Sequence, residues 1–171
     1  MKLQLWVDLA LKYLDSIPHA WIALLGRFSV AAIFWISAQT KVENFELNFI
    51  SGDFHLGIPH LSSSVVALFR DEYRLPFVSP EVAAISAAVS EHIFSVLLLL
   101  GLSSRFAALS LLLMVLIIQI LVYPGAYPTH GVWACVLLLI LARGPGTLSL
   151  DHLISKMLIA QSRPSHTKEN Q

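Results

Sequence analysis

Charge and cysteine are both scarce in this chain. Only 13% of its 171 residues are Asp, Glu, Lys or Arg, about half the share that keeps a soluble domain's surface in water. Lipid is therefore the expected solvent. The formal net charge is zero, from 11 Lys plus Arg against 11 Asp plus Glu, so the molecule has no overall basic field to hold a nucleic acid, and that class of partner drops out. The single cysteine, Cys135, excludes an internal disulfide framework and every multi-cysteine zinc or iron–sulfur site. No phosphate loop, nucleophile elbow or CxxC motif is present. A metal site built from His and carboxylate stays open.

Apolar residues make up 56% of the chain, and the mean hydropathy is +0.71. All eight prolines lie outside the long apolar runs, as expected for residues that break helices. Four runs read as membrane spans. Ala20 to Ala38 carries one charge, Arg27; Val82 to Leu102 carries only Glu91 and His92 as ionisable groups; Phe106 to Val122 is uncharged. The fourth, Val132 to Ala142, reaches a spanning length once Tyr127 and His130 at one end and a snorkelling Arg143 at the other are included. Backbone polar groups find no water in lipid, so each run is expected to be helical. Ser79-Pro80-Glu81 supplies an N-cap, a first-turn proline and an acid at the positive end of the second helix. Small residues four apart, Ala83/Ala87 and Ala84/Ala88, allow close helix contact there. Trp21, Trp35, Tyr123, Tyr127 and Trp133 sit where interfacial aromatic belts are expected.

The predicted fold is all-α: a four-helix transmembrane bundle, up-down-up-down, over residues 20–155. An amphipathic surface arm over 1–19 precedes it, and a tail over 156–171 follows it, all forming one membrane domain. Leu3, Trp6, Leu9, Ala10, Tyr13, Leu14 and Ile17 form the apolar stripe of the arm. A second stripe, Leu61, Val65, Leu68 and Phe69, marks an amphipathic segment in the loop between the first two spans. Either stripe is expected on the membrane surface or on a partner protein. Seven Lys and Arg (Lys2, Lys12, Arg105, Arg143, Lys156, Arg163, Lys168) flank one side, against Lys41, Arg70 and Arg74 on the other. Both termini are therefore expected in the cytoplasm. The first apolar run starts late and contains an arginine, which argues for an anchor rather than a cleaved signal.

Arg27, Glu91 and His92 carry the chemistry. A charge at a helix centre costs about 2.5–3.5 kcal/mol on insertion scales and needs a partner. Arg27 and Glu91 lie at nearly matching depths on antiparallel helices, which predicts an Arg27–Glu91 ion pair. Such a pair either only fixes helix register, or Glu91 with His92 exchanges protons with a ligand. Adjacent side chains diverge by about 100° on a helix, so Glu91 and His92 do not chelate one ion. Gln119, Tyr123, Tyr127, His130 and Trp133 form a second constellation at the outer end. It reads either as a quinone site, by ring stacking and an imidazole bond, or as a set of interfacial anchors. His55, His60 and His130 are an alternative copper or zinc set. Cys135 reads as a small core residue.

Several elements together resemble the DoxX family of small four-helix bacterial membrane proteins. They are Gly26-Arg27-Phe28, a polar step from Ser37 to Lys41, a mid-span Glu91 followed by Leu99-Leu100-Gly101-Leu102-Ser103-Ser104-Arg105, and the closing Arg143-Gly-Pro-Gly-Thr-Leu-Ser-Leu-Asp151. Relatives often carry a glycine shortly before the helix-one lysine, where this chain has Ser37-Ala38-Gln39-Thr40. The resemblance implies a plasma (inner) membrane protein linked to redox chemistry. Some relatives are subunits of a thiosulfate:quinone oxidoreductase, and others associate with stress or thiol-redox complexes. The family's arginine and mid-membrane acid map onto Arg27 and Glu91, and its terminal turn onto Gly144, Pro145, Gly146 and Asp151. The Tyr123 to Ala134 stretch resembles a subgroup found beside metal-peptide modification systems.

The expected role is a membrane subunit of a redox system. It exchanges electrons or protons with quinone through Glu91, His92 and the outer aromatics, without a tightly bound cofactor or metal of its own, and is not an enzyme alone. A scaffold recruiting a soluble redox or metal-handling partner through the Asp53 to Arg74 loop or the basic tail is the alternative. A small-solute or ion carrier using Arg27 and Glu91 as a relay is the second. The bilayer, a protein of a redox complex and further copies of the chain are the expected partners.

Overall fold

The structure is a computed structural model that describes residues 2–48 and 52–161. Residues 162–171, with Arg163 and Lys168, lie outside the described residues, as do the side chains of Lys2, Leu3 and Ala10. Helix α1 (Lys2–Asp15) precedes Pro18, which opens α2 (His19–Gln39). Two strands, β1 (Val42–Asn48) and β2 (Asp53–Leu61), follow. Next come α3 (Ser63–Leu68) and a π-helical turn (Phe69–Tyr73). Then α4 (Pro80–Leu100), α5 (Ser104–Ile117) with a π-helical extension (Ile118–Val122), α6 (Tyr127–Arg143) and α7 (Leu150–Gln161) complete the chain.

Four helical stretches are long and apolar enough to cross a membrane: His19–Gln39, Pro80–Leu100, Ser104–Val122 and Pro124–Arg143. Each packs on two others, closing a ring in the order α2, α4, α5, α6. Its centre is apolar, with Val30 and Phe34 from α2, Leu98 from α4, Leu111 from α5, and Leu137 and Ile140 from α6. Outward-facing Leu25, Phe28, Val82, Phe106 and Val132 are each more than half exposed, which a lipid solvent accommodates. The second span starts as expected: Ser79 Oγ accepts from Val82 N at 3.4 Å with Pro80 in the first turn. Ala84 and Ala88 are buried, consistent with close contact along α4.

The all-α expectation is corrected by the antiparallel hairpin β1–β2. Phe54, Leu56 and Ile58 alternate with His55, Gly57 and Pro59, the period of a strand rather than a helix. The register runs Val42↔Leu61 and Glu43↔His60, then shifts between Glu43 and Phe45 to resume at Phe45↔Leu56. Pro59, which has no N–H for a ladder, sits in that irregularity. Asn44 takes φ 65 there, and a Cβ on Gly57 would lie 2.5 Å from Asn44 O, so glycine is required.

The loop stripe also differs from expectation. Val65 and Phe69 are buried against Ala83 and Ala84, with Leu61, Tyr73 and Leu75 around them. An apolar face that meets the small-residue end of α4 is covered by the bundle, not by membrane or partner. Trp35 and Trp133 likewise turn inward rather than forming belts: Trp35 Nε1 donates to Leu47 O at 3.1 Å, and Trp133 packs edge-on against Phe34 at 5.9 Å. Trp21 faces outward. Cys135 is exposed on α6, because it falls on the side away from Leu137 and Ile140. Helix α1 carries exposed Trp6, Leu9, Tyr13 and Leu14.

Candidate functional site

Glu91 lies at the middle of α4 and is 3% exposed. Its partner is Lys41, not Arg27. Lys41 lies just past α2, and its stem folds back so that Nζ reaches Glu91 Oε2 at 2.7 Å. The ammonium also donates to Ser37 O at 3.1 Å and Ser37 Oγ at 2.8 Å. Ser37 Oγ in turn donates to Glu91 Oε1 at 3.2 Å. Ser37 supplies the hydroxyl that ties lysine to acid. Oε2 lacks a well-angled hydrogen bond, but the ammonium 2.7 Å away neutralises it.

Beside this pair, His92 Nδ1 contacts Ala88 O at 2.8 Å. A carbonyl only accepts, so Nδ1 carries the proton, and neutral His92 presents Nε2 as an acceptor. Gln39 Nε2 donates to it at 2.9 Å, while Gln39 Oε1 accepts from Leu47 N at 2.8 Å. The hairpin is thus clipped to α2 at both backbone groups of Leu47, one through Gln39 and one through Trp35. The His92 ring is flanked edge-on by Trp35 at 5.3 Å and at a tilt by Phe45 at 6.2 Å. His92 therefore positions the hairpin, and the hairpin covers the end of α2 next to the Lys41–Glu91 pair.

Arg27 serves the opposite end. Nη1 donates to Leu98 O at 3.4 Å and Leu99 O at 3.3 Å, and Nη2 donates to Leu148 O. Leu98 lies seven residues beyond Glu91, about 10 Å along the helix, which is why the expected Arg27–Glu91 pair does not form. The final carbonyls of a helix lack intrahelical partners and carry the negative end of its dipole, so a guanidinium there satisfies them without a carboxylate. The motifs that carried the family resemblance converge at this point. Gly101 takes φ 69, and a Cβ there would fall 2.2 Å from Arg27 Nη1. Asp151 caps α5, accepting from Ser103 N at 2.7 Å and Ser104 N at 2.9 Å. Gly146, at φ 81, lets the terminal turn approach Ala20 Cα, where a Cβ would come within 2.9 Å.

The second constellation is partly assembled. His130, 7% exposed, contacts Gln119 Oε1 through Nδ1 at 2.8 Å. Gln119 Nε2 donates to Pro124 O at 2.7 Å, which fixes Oε1 as the acceptor and places the imidazole proton on Nδ1. His130 Nε2 is left as an acceptor. Gln119 lies in the π-helical turn closed by Tyr123 N to Ile118 O at 2.8 Å. Gln119, His130 and Tyr127 line a groove of about 120 Å3 between α5 and α6, and Trp133 packs against His130 at 5.1 Å. Tyr123 turns away, donating to Glu72 Oε1 and packing edge-on against Tyr73 at 5.7 Å. The Glu72 hydrogen bond pushes the Tyr123 phenol well above its usual range. Burial pushes the Tyr73 phenol up, opposed by its bond to Tyr123 and assisted by the charges of Glu91 and Glu72.

The alternative metal set does not assemble. His60 pairs with Glu43 at 3.2 Å on the hairpin, His55 lies across from Glu46, and His130 is bound to Gln119 on the bundle. Among the described residues no three His, Cys, Asp or Glu side chains come together. Sequence reasoning overlooked Lys41 and Ser37 as site residues. The signal was their i, i+4 spacing at the end of α2, which puts both on the face of Glu91.

Four apolar spans around a buried ion pair, one end closed by a hairpin and the other by an arginine-capped turn, define a small multi-span helical membrane protein. The chain belongs to the DoxX family, whose model matches residues 22–124, more than half of the sequence. The terminal turn from Arg143 to Asp151 lies beyond the matched segment. No curated protein and no solved structure matches the chain significantly.

Proposed function

We propose that this DoxX-family protein is the membrane subunit of a quinone-linked redox system in the plasma membrane, with up-down-up-down spans and both termini in the cytoplasm. The observation that carries the reading is the Gln119–His130 pair lining the groove between α5 and α6. Its imidazole presents an acceptor nitrogen to a hydroxyl donor, so the quinol form docks with one hydroxyl on His130 Nε2. The ring lies across the groove mouth against Tyr127, because about 120 Å3 is below the ~300 Å3 of an enclosing ligand pocket. Oxidation of one quinol releases two electrons, passed to an acceptor centre on a partner subunit, and two protons, the first taken by His130 Nε2 and the second released to water at the groove mouth. Glu91, an intramembrane acid held by Lys41, is the second group assigned to the redox unit, since an ionisable residue at that depth is a functional-site candidate.

A photoreactive quinone analogue should label α5 and α6 around His130, with labelling competed by quinol and lost in His130→Phe. Equal labelling by a saturated isoprenoid analogue without the ring, or labelling untouched by His130→Phe, discards the reading. A second reading rests on the hairpin, whose Leu56 and Ile58 are more than three-quarters exposed. Here the chain is a scaffold that recruits a soluble partner. Replacing residues 53–58 with a short turn would then abolish co-purification of that partner while His130→Phe leaves it intact.

A further inference from the structure

At the end of the bundle remote from the hairpin, an open cavity of about 810 Å3 lies among the starts of α2 and α5, the end of α6 and the terminal turn. Its volume falls in the ~300–1,000 Å3 range of ligand sites. Arg105, from the first turn of α5, and Arg143, from the last turn of α6, both line it. Nε and Nη2 of Arg105 lie 3.8 and 3.7 Å from where a Gly144 Cβ would stand, so its guanidinium sits against the residue next to Arg143. Among the described residues neither arginine has a hydrogen-bond or ion-pair partner. The one carboxylate lining the cavity, Asp151, already has both oxygens on the Ser103 and Ser104 amides. His19 is engaged with Gly144 O at 3.4 Å, and His152 completes the titratable lining. The walls include Ala20 and Phe106, the latter exposed toward lipid.

We propose that this cavity is a binding site for a phosphate anion, held by the guanidiniums of Arg105 and Arg143, which both line it. Planar guanidinium forks match phosphate oxygens bidentately. Basic pockets between spans at the membrane surface are where acidic lipid headgroups bind. The same chemistry serves a phospholipid headgroup, with its acyl chains along Phe106, or a free phosphate. The cavity lies at the end of α6 and the His130 groove at its start, so its failure and that of the quinone reading are separable.

The test uses the full chain purified in neutral detergent and titrated with phosphatidylglycerol, phosphatidylcholine and inorganic phosphate, read by native mass spectrometry and thermal shift. Saturable binding of phosphatidylglycerol over phosphatidylcholine is expected, weakened about fivefold by Arg105→Gln or Arg143→Gln and about 25-fold by both. Arg70→Gln, paired with Glu81 at the hairpin end, should leave it unchanged. Lipid binding without inorganic phosphate binding assigns the headgroup as the source, and saturable inorganic phosphate binding lost in the same variants assigns free phosphate. Equal binding of the two lipids with no phosphate binding, or affinity unaltered in the single variants, overturns the proposal. The single variants carry the test if the double variant does not fold.

Discussion

Replacing Lys41 and Glu91 by leucine, singly and together, tests which cation the buried acid depends on. The two groups are 2.7 Å apart with side chains 9% and 4% exposed. At an effective dielectric of about 20 their gross attraction is about 6 kcal/mol, most of it offset by desolvation. Removing one member of such a pair strands a charge and costs about 3–5 kcal/mol. Removing both strands none, so the double variant should be more stable than Glu91 kept without its lysine. In a double-mutant cycle read by denaturant unfolding in mixed micelles, Lys41/Glu91 should show a coupling of about 2–3 kcal/mol. Arg27→Leu with Glu91→Leu should be additive within about 0.5 kcal/mol, since the two side chains share no partner. A coupling near zero for Lys41/Glu91, or a large one for Arg27/Glu91, would refute the assignment.

Two further outcomes follow from the closing turn and the hairpin. Asp151→Ala removes both acceptors from the first amides of α5 and should cost about 1–2 kcal/mol of stability, measurable as a lowered midpoint in the same unfolding assay; no change would remove the capping role. Hydrogen bonds from Ser62 and then His60 hold the Glu43 carboxyl below its usual range. A lowered folded value contributes stability that is complete above the ordinary carboxylate pKa, about 4.3, and is lost as pH falls through the folded value. Amide exchange in the hairpin should therefore quicken below about pH 4, and Glu43→Gln should remove that pH dependence; a pH response that persists in the variant contradicts it.

The spans were legible because lipid demands long apolar runs, and helices are how such runs satisfy their backbone. Ser79 and Pro80 marked the start of α4 for the same local reasons that hold in any helix. The hairpin was obscured because residues 42–61 mix charge, Pro59 and glycine, although Phe54, Leu56 and Ile58 keep a strand's period. Arg27 was paired with Glu91 by comparing the heights of their backbones. That comparison leaves out the carbonyls of Leu98, Leu99 and Leu148, which accept from Arg27 and which only the folded terminal turn brings together. Lys41 was counted as a loop charge for orientation, whereas its long stem reaches back one helical turn to Ser37. Cys135 and Trp133 occupy the same helix, yet which one faces the bundle depends on a rotation that apolar composition alone leaves undetermined.

On the proposed quinone reading, the acid held by Lys41 responds when quinol is oxidised at His130. A reaction-induced infrared difference spectrum, recorded on the protein in lipid while bound quinol is oxidised electrochemically, reads this directly. A carboxylate band that shifts on oxidation, disappears in Glu91→Gln and is absent in His130→Phe is expected. A spectrum identical in the parent protein and Glu91→Gln would contradict it.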